Sequence, residues 1–352
     1  MRIVLAYSGS LEGSAAIQWL RERHEAEIVA VTLDLGQGRE LEAVRDRALS
    51  IGAQRAHVLD ARDAFAQDFV LPALRADAQH DGRVPMALAL SRPLIAQKLV
   101  EIAGIERADA VAHTGHASGG TSRLDLLLAA IAPALQVLTP AREWALSADA
   151  LASFSRSHGL GALMDEATRV EANFWGRSLR QYDGDTSQVP LVAAPDSYPV
   201  EPAFVDIAFS SGVPTALNGV QLPLIELVAS LATLTAAHGV GRSGMRHLWC
   251  EAPAAVLLHA AHRELTRAAA GDALRAFSEE ATACYVRLVE DARWFSPLRE
   301  ALDAYFSSVQ SRVNGRVRLR VFRGEHSTIT TELSEPAAQP APVRLVLSSA
   351  QH

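Results

Sequence analysis

Arg2-Ile3-Val4-Leu5-Ala6-Tyr7-Ser8-Gly9-Ser10-Leu11-Glu12-Gly13-Ser14 decides how this chain is read. Arg2 to Tyr7 is a short apolar run of the kind that forms a buried strand. The residues that follow are small, polar and glycine-containing. From Ser14 to His24 the apolar residues return at helical spacing, with Ile17 and Leu20 one turn apart. Such a loop between a strand and a helix suits a phosphate group. Its backbone N–H groups turn inward as a nest, and the helix behind it directs its positive end there. Ser8 and Ser14 add hydroxyls. The same residues also describe an ordinary turn with Ser14 as the helix cap, and composition leaves both readings open.

Outward from this stretch, strand and helix alternate. Glu27 to Leu35 reads as a second strand. Arg39 to Ile51 reads as a helix that turns Leu41, Val44 and Leu49 inward and stops at Gly52. Arg55 to Leu59, Ala108 to His113 and Leu135 to Leu138 continue the strands, and Ser147 caps a helix ending near Gly159. Alternation of this length predicts an α/β fold, a parallel doubly wound sheet covered by helices on both faces. From about Glu171 the pattern changes. Phe204 to Phe209, the turn Ser210-Ser211-Gly212 and a strand to Leu217 read as a hairpin. Leu222 to His238, Val256 to Ala269 and Leu274 to Phe295 read as helices, and Pro297 opens another that ends near Asn314-Gly315. Arg316 to Phe322 and Ser327 to Thr331 flank Arg323-Gly324-Glu325-His326 as a terminal hairpin. The expected division is a nucleotide-binding domain over 1–165, a second α+β domain over 166–333 and a loose tail over 334–352.

Composition narrows the function classes. The chain has 352 residues with 49% hydrophobic and 21% charged content, an ordinary balance for a soluble globular protein. A formal charge of −7 argues against nucleic acid as a partner, because phosphate neutralisation needs a basic field. Lys98 is the single lysine and lies in no Walker-type loop. Cys250 and Cys284 belong to no C-x-x-C pair, so neither a zinc site nor a disulfide framework is expected, and no metal ligands are assigned. No apolar stretch is long enough to span a bilayer and no signal-peptide pattern is present, so the expectation is a cytoplasmic protein with no membrane partner.

Ala6 to Ser14 is similar to the S-G-G-x-D-(S/T)-S loop of the N-type ATP pyrophosphatases. Within that group it resembles the argininosuccinate synthase family, whose stretch reads A-Y-S-G-G-L-D-T-S. Thr32-Leu33-Asp34-Leu35-Gly36-Gln37-Gly38 resembles the family's stretch at the adenine. Ser91-Arg92-Pro93-Leu94-Ile95-Ala96-Gln97-Lys98, Ala141-Arg142-Glu143-Trp144, His238-Gly239-Val240-Gly241-Arg242 and Trp294 to Ala304 match in the same order. The resemblance runs from Met1 to about Thr331. It implies a PP-loop fold, adenine nucleotide alpha hydrolase-like, with a second α+β synthetase domain. It also implies an ATP-dependent ligase that adenylates a ureido or carboxylate oxygen, releases pyrophosphate, and joins the activated carbon to an amine as AMP leaves. Mg2+ would shield the triphosphate. Carried over position by position, ATP falls to Ala6, Tyr7, Ser8, Gly9, Ser10, Leu11, Glu12, Gly13, Ser14, Leu33, Gln37, Thr114 and Gly115. The small amino-acid-like substrates fall to Arg92, Ser118, Thr121, Ser122, Arg123, Arg169, Glu171, Ser178 and Glu251. No catalytic residue is singled out.

This chain departs from the family pattern at specific places. Ser10 replaces a glycine, a cost of about 1 kcal/mol if that position needs positive φ. Glu12 replaces an aspartate and Gly13 a threonine. The T-G-K-G-N-D-Q-V-R-F-E run is shortened by one residue and loses its lysine and Asn-Asp pair, keeping Arg123 and, as Asp125, the acid. Val84 and Cys250 stand where tyrosines contact citrulline, Leu88 where a small hydroxyl is usual, and Arg169 for a serine. A site that loses hydrogen-bonding groups changes what it rejects, so the leading expectation is a non-standard substrate pair. The alternatives are a nucleotide-binding homologue without chemistry and synthesis of argininosuccinate from citrulline and aspartate. The family's C-terminal arm is not recognisable beyond Thr331, so the expected homo-oligomer is a dimer or a tetramer. Several residues also have plain structural readings. Arg92, Arg123 and especially Arg263 read as ion-pair residues, and His113 and His262 as satisfied buried histidines. Cys250 reads as a small core residue, and Trp294, Phe295, Leu298 and Leu302 as packing at helical spacing.

Overall fold

The structure is a computed structural model and describes residues 1–38, 40–115, 122–143, 148–160, 170–180, 191–245 and 248–335. The first part runs β1 (Arg2–Ala6), α1 (Leu11–His24), β2 (Glu27–Asp34), α2 (Leu41–Ser50) and β3 (Arg55–Asp60). A bent helical stretch follows, α3 (Arg62–Phe65) and α4 (Leu71–Arg75) joined by a π turn at Ala66–Val70. A two-stranded ladder, β4 (Gln79–His80) with β5 (Val84–Pro85), leads to α5 (Ala87–Glu106). Then come β6 (Ala110–Ala112), α6 (Arg123–Ile131), β7 (Gln136–Leu138), α7 (Pro140–Glu143) and α8 (Ala148–Ser157).

β1, β2, β3, β6 and β7 form one parallel sheet in the order β3-β2-β1-β6-β7. Alternate residues of a strand face opposite sides, and here each side has its own cover. Ile3, Leu5, Ile28 and Ala30 pack with Ile17 and Leu20 of α1 and Val44 and Ala48 of α2. Val4, Val29 and Val31 pack with Leu90, Leu94 and Leu99 of α5. The sheet is doubly wound, as the alternation predicts. The chain moves outward from β1 to β3, then returns to lay β6 on the other side of β1. That reversal opens a crevice at the C-terminal ends of β1 and β6, the position where sheets of this kind hold ligands.

The second part holds two antiparallel sheets. β8 (Val170–Asn173) and β9 (Gly176–Arg180) join β13 (Arg242–Met245) and β14 (Leu248–Glu251) in the order β13-β14-β9-β8. β10 (Ala203–Ser210), β11 (Val213–Leu217), β12 (Val220–Gln221), β15 (Gly315–Phe322) and β16 (Glu325–Leu333) form the other, in the order β12-β11-β10-β15-β16. α9 (Leu224–Ala237), α10 (Pro253–Ala269), α11 (Asp272–Glu290) and α12 (Pro297–Gln310) complete the chain. The larger core cluster is continuous across both parts, from Val4 and Leu94 to Leu258, Tyr285 and Val321.

Several local expectations are corrected. Leu49 is 43% exposed and Ala48 takes the inward position, four residues after Val44. α11 stops at Glu290, and Ala292 adopts φ 58°, so Trp294 and Phe295 lie in the link and not in a helix. Leu298 is 50% exposed, and Trp294 and Phe306 do the packing. α12 ends at Gln310, ahead of Asn314-Gly315. The terminal turn is only Arg323-Gly324, both at positive φ, which matches the twist of a two-residue hairpin; Glu325 and His326 belong to β16.

Candidate functional site

The loop after β1 is held from below by side chains. Gly9 sits at φ +77°, and a Cβ there would lie 3.2 Å from Val44 Cγ2, so both backbone and space require glycine. Ser10 has φ −70° and ψ 159°, ordinary extended backbone, so replacing a glycine at this position carries no φ penalty. Ser10 and not Ser14 is the helix cap: its Oγ accepts from Gly13 N–H at 3.1 Å. Ser14 is buried, with Oγ 3.0 Å from the Tyr7 hydroxyl. Thr32 Oγ1 donates to Tyr7 O at 2.9 Å and Arg47 Nη1 donates to Gly9 O at 2.8 Å. A Cβ at position 13 would lie 3.1 Å from the Tyr7 ring, so that ring crowds the space beside Gly13. Leu11 and Glu12 form the first turn of α1, whose N-terminus faces the crevice mouth.

Beside this loop, β2 outlasts β1. The last backbone bond from the β1 side is Tyr7 N–H to Val31 O at 2.9 Å. Farther along, the Gln37 carboxamide donates to Leu33 O at 2.7 Å and accepts from Leu35 N–H at 2.6 Å. Leu35 O accepts from Phe174 N–H at 2.7 Å, and Asn173 Nδ2 donates to Ala87 O at 2.9 Å. Those two bonds seat the β8–β9 turn against the C-terminal end of the parallel sheet.

On the β6 side, Gly115 N–H donates to His113 Nδ1 at 3.1 Å. Nδ1 is therefore the acceptor, and Nε2–H donates to Asp125 Oδ1 at 2.7 Å. Ser122 and Asp125 form a reciprocal capping box on α6. Arg142 Nη1 reaches Asp125 Oδ2 at 3.1 Å. Burial pushes the Asp125 carboxyl up, but His113, the Ser122 N–H and Arg142 outweigh it and bring it to about 2. Asp125 is thus an anchored anion that orients the strand end carrying Thr114 and Gly115. Arg123 Nε donates to Glu290 O, and Arg123 and Arg92 line one small pocket with Pro93, Leu127, Val289 and Trp294. Ser118, Thr121 and Arg169 lie outside the described residues.

The four-stranded sheet brings together residues far apart in sequence. Its register places Glu171 opposite Ser178, Ser178 opposite Cys250, and Cys250 opposite Ser243. Cross-strand partners share a face, so these four make one row. Ser178 and Cys250 are buried, and Ser243 Oγ is buried without a partner among the described residues. Burial, with the Glu251 charge beside it, pushes the Cys250 thiol up to about 11. A thiol held that high is not a nucleophile at neutral pH. Glu251 points to the opposite face and is fully buried. Its Oε2 accepts from Arg177 and from Leu191 N–H at 2.9 Å. Its Oε1 accepts from Arg242 at 2.7 and 3.0 Å. Burial alone would raise this carboxyl, but Arg242, the Leu191 N–H and Arg177 hold it below its usual range. Both oxygens of Glu251 are engaged, so its position supports a role in fixing the sheet. Arg177, Arg242 and Phe174 are not among the residues assigned from sequence, although Arg242 lies inside the quoted His238–Arg242 stretch.

Arg263 makes the ion pair expected of it, its Nε 2.7 Å from Asp77 Oδ2. His262 is buried with Nε2 2.8 Å from Gln310 Oε1, and burial lowers it to about 4. Among the described residues no group of three or more His, Cys, Asp or Glu side chains is arranged to hold a metal ion, and no helix is long and apolar enough to cross a membrane.

Comparison with known proteins covers most of the chain. A family described as the arginosuccinate synthase N-terminal HUP domain matches residues 2–161, and one described as the arginosuccinate synthase C-terminal domain matches residues 185–337. The chain is 38% identical over 343 residues to the argininosuccinate synthase of Rubrobacter xylanophilus, covering 92% of this chain and 83% of that one. It is 39% identical over 347 residues to the same enzyme of Symbiobacterium thermophilum, covering 92% and 86%. With that of Oceanobacillus iheyensis it shares 36% over 351 residues, covering 94% and 84%.

Proposed function

The chain belongs to the argininosuccinate synthase family of ATP-dependent ligases, and on that premise we propose that it joins citrulline to aspartate in an ATP-cleaving reaction. The observation that carries this reading is the crevice between β1 and β6, with a glycine-bearing loop at the N-terminus of α1 on one side and the anchored His113–Gly115 strand end on the other. The triphosphate would lie on Ser8 to Ser14, where inward N–H groups and the helix dipole favour anions. The base would lie beside Leu33 and Gln37, and the α-phosphate toward Thr114 and Gly115. Mg2+ fits here only as a companion of the triphosphate. It needs few protein ligands when phosphate oxygens supply the rest, and Glu12 in the first turn of α1 would be the carboxylate to join it. The two substrates would occupy the space bounded by Arg92, Ser122 and Arg123 on one part and the Glu171–Ser178 row on the other, with 1–165 as nucleotide domain and 166–333 as synthetase domain.

The chemistry assigned to the protein is positional. ATP converts the ureido oxygen into a leaving group as AMP, and the aspartate amine displaces it. What the residues contribute is charge stabilisation at the loop and alignment of the two partners. Pyrophosphate exchange into ATP in the presence of citrulline, followed by aspartate-dependent AMP formation, tests it. Exchange that fails with soluble, ATP-binding protein would rule the acceptor out.

A second reading is favoured by one specific observation, the Ser178–Cys250–Ser243 row. It is buried, its thiol is held protonated, and its only strong acid, Glu171, sits at the exposed end. Together with Val84 in place of a phenol, this supports an acceptor other than citrulline joined by the same chemistry. The exchange assay run over a panel of ureido and carboxylate compounds separates the two. Rescue of an arginine auxotroph favours citrulline, and exchange with another acceptor alone favours the second reading. A cytoplasmic location and a homo-oligomer are part of the proposal, the oligomer to be read from its mass in solution.

A further inference from the structure

Beyond the end of β1, the edge of β2 is not left open. In an extended strand the C=O of residue i and the N–H of residue i+2 point to the same side. Leu33 O and Leu35 N–H are such a pair, an acceptor and a donor side by side. Both are taken by one carboxamide, that of Gln37, at 2.7 and 2.6 Å. Among the described residues the Gln37 carboxamide makes no other hydrogen bond, and the residue is half-buried between the exposed Gly36 and Gly38.

A carboxamide presents an N–H donor beside a carbonyl acceptor. Adenine presents the same pair in the same order, with N6–H as donor and N1 as acceptor. Guanine presents the reverse, O6 as acceptor beside N1–H as donor. The strand edge is therefore complementary to an aminopurine and mismatched to an oxopurine. It lies next to the phosphate loop, since Tyr7, which opens that loop, donates to Val31 two residues before Leu33.

We propose that Gln37 is an internal stand-in for the base: its carboxamide holds the β2 edge when no nucleotide is present, and adenine enters by displacing it. This rests on the reading that the crevice takes ATP. Gln37 is then a specificity and positioning residue whose side chain must swing outward, not one that contacts the base. The exposed backbone on both sides of it leaves the released amide in solvent, where water satisfies it. The apparent affinity for ATP is lowered by the fraction of molecules in which the latch is shut.

Calorimetric titration of the full chain with ATP, GTP and inorganic pyrophosphate tests this, using Gln37→Ala and Gln37→Met; the methionine keeps the bulk and removes both hydrogen bonds. Both variants are expected to bind ATP about 5- to 10-fold more tightly than the unaltered chain, the competition from two ordinary hydrogen bonds having been removed. Pyrophosphate binding should be unchanged, and GTP should not gain. Weaker ATP binding by both variants, at an unchanged melting temperature, overturns the latch and makes Gln37 a direct base contact or a brace. An equal gain for ATP and GTP overturns the base assignment. If neither the unaltered chain nor the variants bind ATP, the ATP reading itself falls and the latch with it. Variants that bind where the unaltered chain does not would be the strongest support.

Discussion

The crevice of the parallel sheet and the knot beneath the four-stranded sheet are held together in opposite ways. On the β1–β2 side of the crevice most supports are neutral: Ser10 to Gly13, Tyr7 to Ser14, Thr32 to Tyr7, Gln37 to its own strand, with Arg47 to Gly9 O the charged exception, while the β6 wall is anchored by the Asp125 carboxylate. Each neutral one is an ordinary hydrogen bond of about 1 kcal/mol net. Under the four-stranded sheet a single buried carboxylate, Glu251, ties Arg177, Arg242 and two backbone N–H groups. Removing one partner of such a buried arrangement leaves charge unpaired in a low-dielectric site. The difference suggests a division of labour: the region that must admit a ligand is closed by bonds that exchange easily, and the region that fixes geometry by bonds that do not.

The sharpest way to break this contrast is at Glu251. Glu251→Ala should cost about 3 to 5 kcal/mol, since two guanidiniums lose their partner, and thermal unfolding will register it. A loss below about 1 kcal/mol would mean that the knot relaxes to water and the contrast is false. Next in size is acid sensitivity. His262 has its folded pKa lowered to about 4 against an ordinary 6.5, so the unfolded chain binds the extra proton first. Its contribution is fully present above pH 6.5 and is lost as pH falls toward 4, about 3 kcal/mol at the limit. Glu251 and Asp125, both lowered in the folded chain, lose theirs only below the ordinary carboxylate range. Denaturant midpoints from pH 7 to 4 should therefore fall for the unaltered chain and stay flatter for His262→Gln.

On the crevice side, Gly9→Ala places a Cβ at φ +77° against Val44, at a cost of about 1 to 2 kcal/mol. Its effect on ATP binding should exceed its effect on stability, and equal effects would remove the loop from the nucleotide site. The smallest change is Tyr7→Phe, which deletes the bond to Ser14 and should cost about 1 kcal/mol with little change in ATP affinity.

The same contrast separates what the sequence could tell from what it could not. The parallel sheet was legible because each of its strands is an apolar run beside a helix of matching period, and because Gly9 and the residues after it form a contiguous motif. Leu49 misled because an apolar residue one position from Ala48 looks equally periodic in a helix whose inward stripe is narrow. The sheet under Glu251 left no such trace. β8 and β13, V-E-A-N and R-S-G-M, are short and mixed, and β9 meets β14 across some seventy residues. Arg242 stands in a stretch that resembles the family, yet only the fold shows that it converges with Arg177 on one carboxylate. Ser10 shows the converse. Counted as a substitution it reads as a cost, but with φ −70° and its Oγ accepting from Gly13 N–H it is a helix cap.

The pairing of β10 with β15 has a consequence in time. Gly315, the first residue of β15, follows Ser210, the last of β10, by 105 positions, yet Phe209 lies directly against Gly315 in the sheet. During synthesis at roughly 5–20 residues per second, β10 waits about 5 to 20 s for the strand that covers its edge. Through that interval Val205, Ile207 and Phe209, all buried in the finished sheet, have only β11 and β12 beside them. A nascent chain stalled before Arg316 should bind a hydrophobic-segment chaperone, and one released after Leu333 should not.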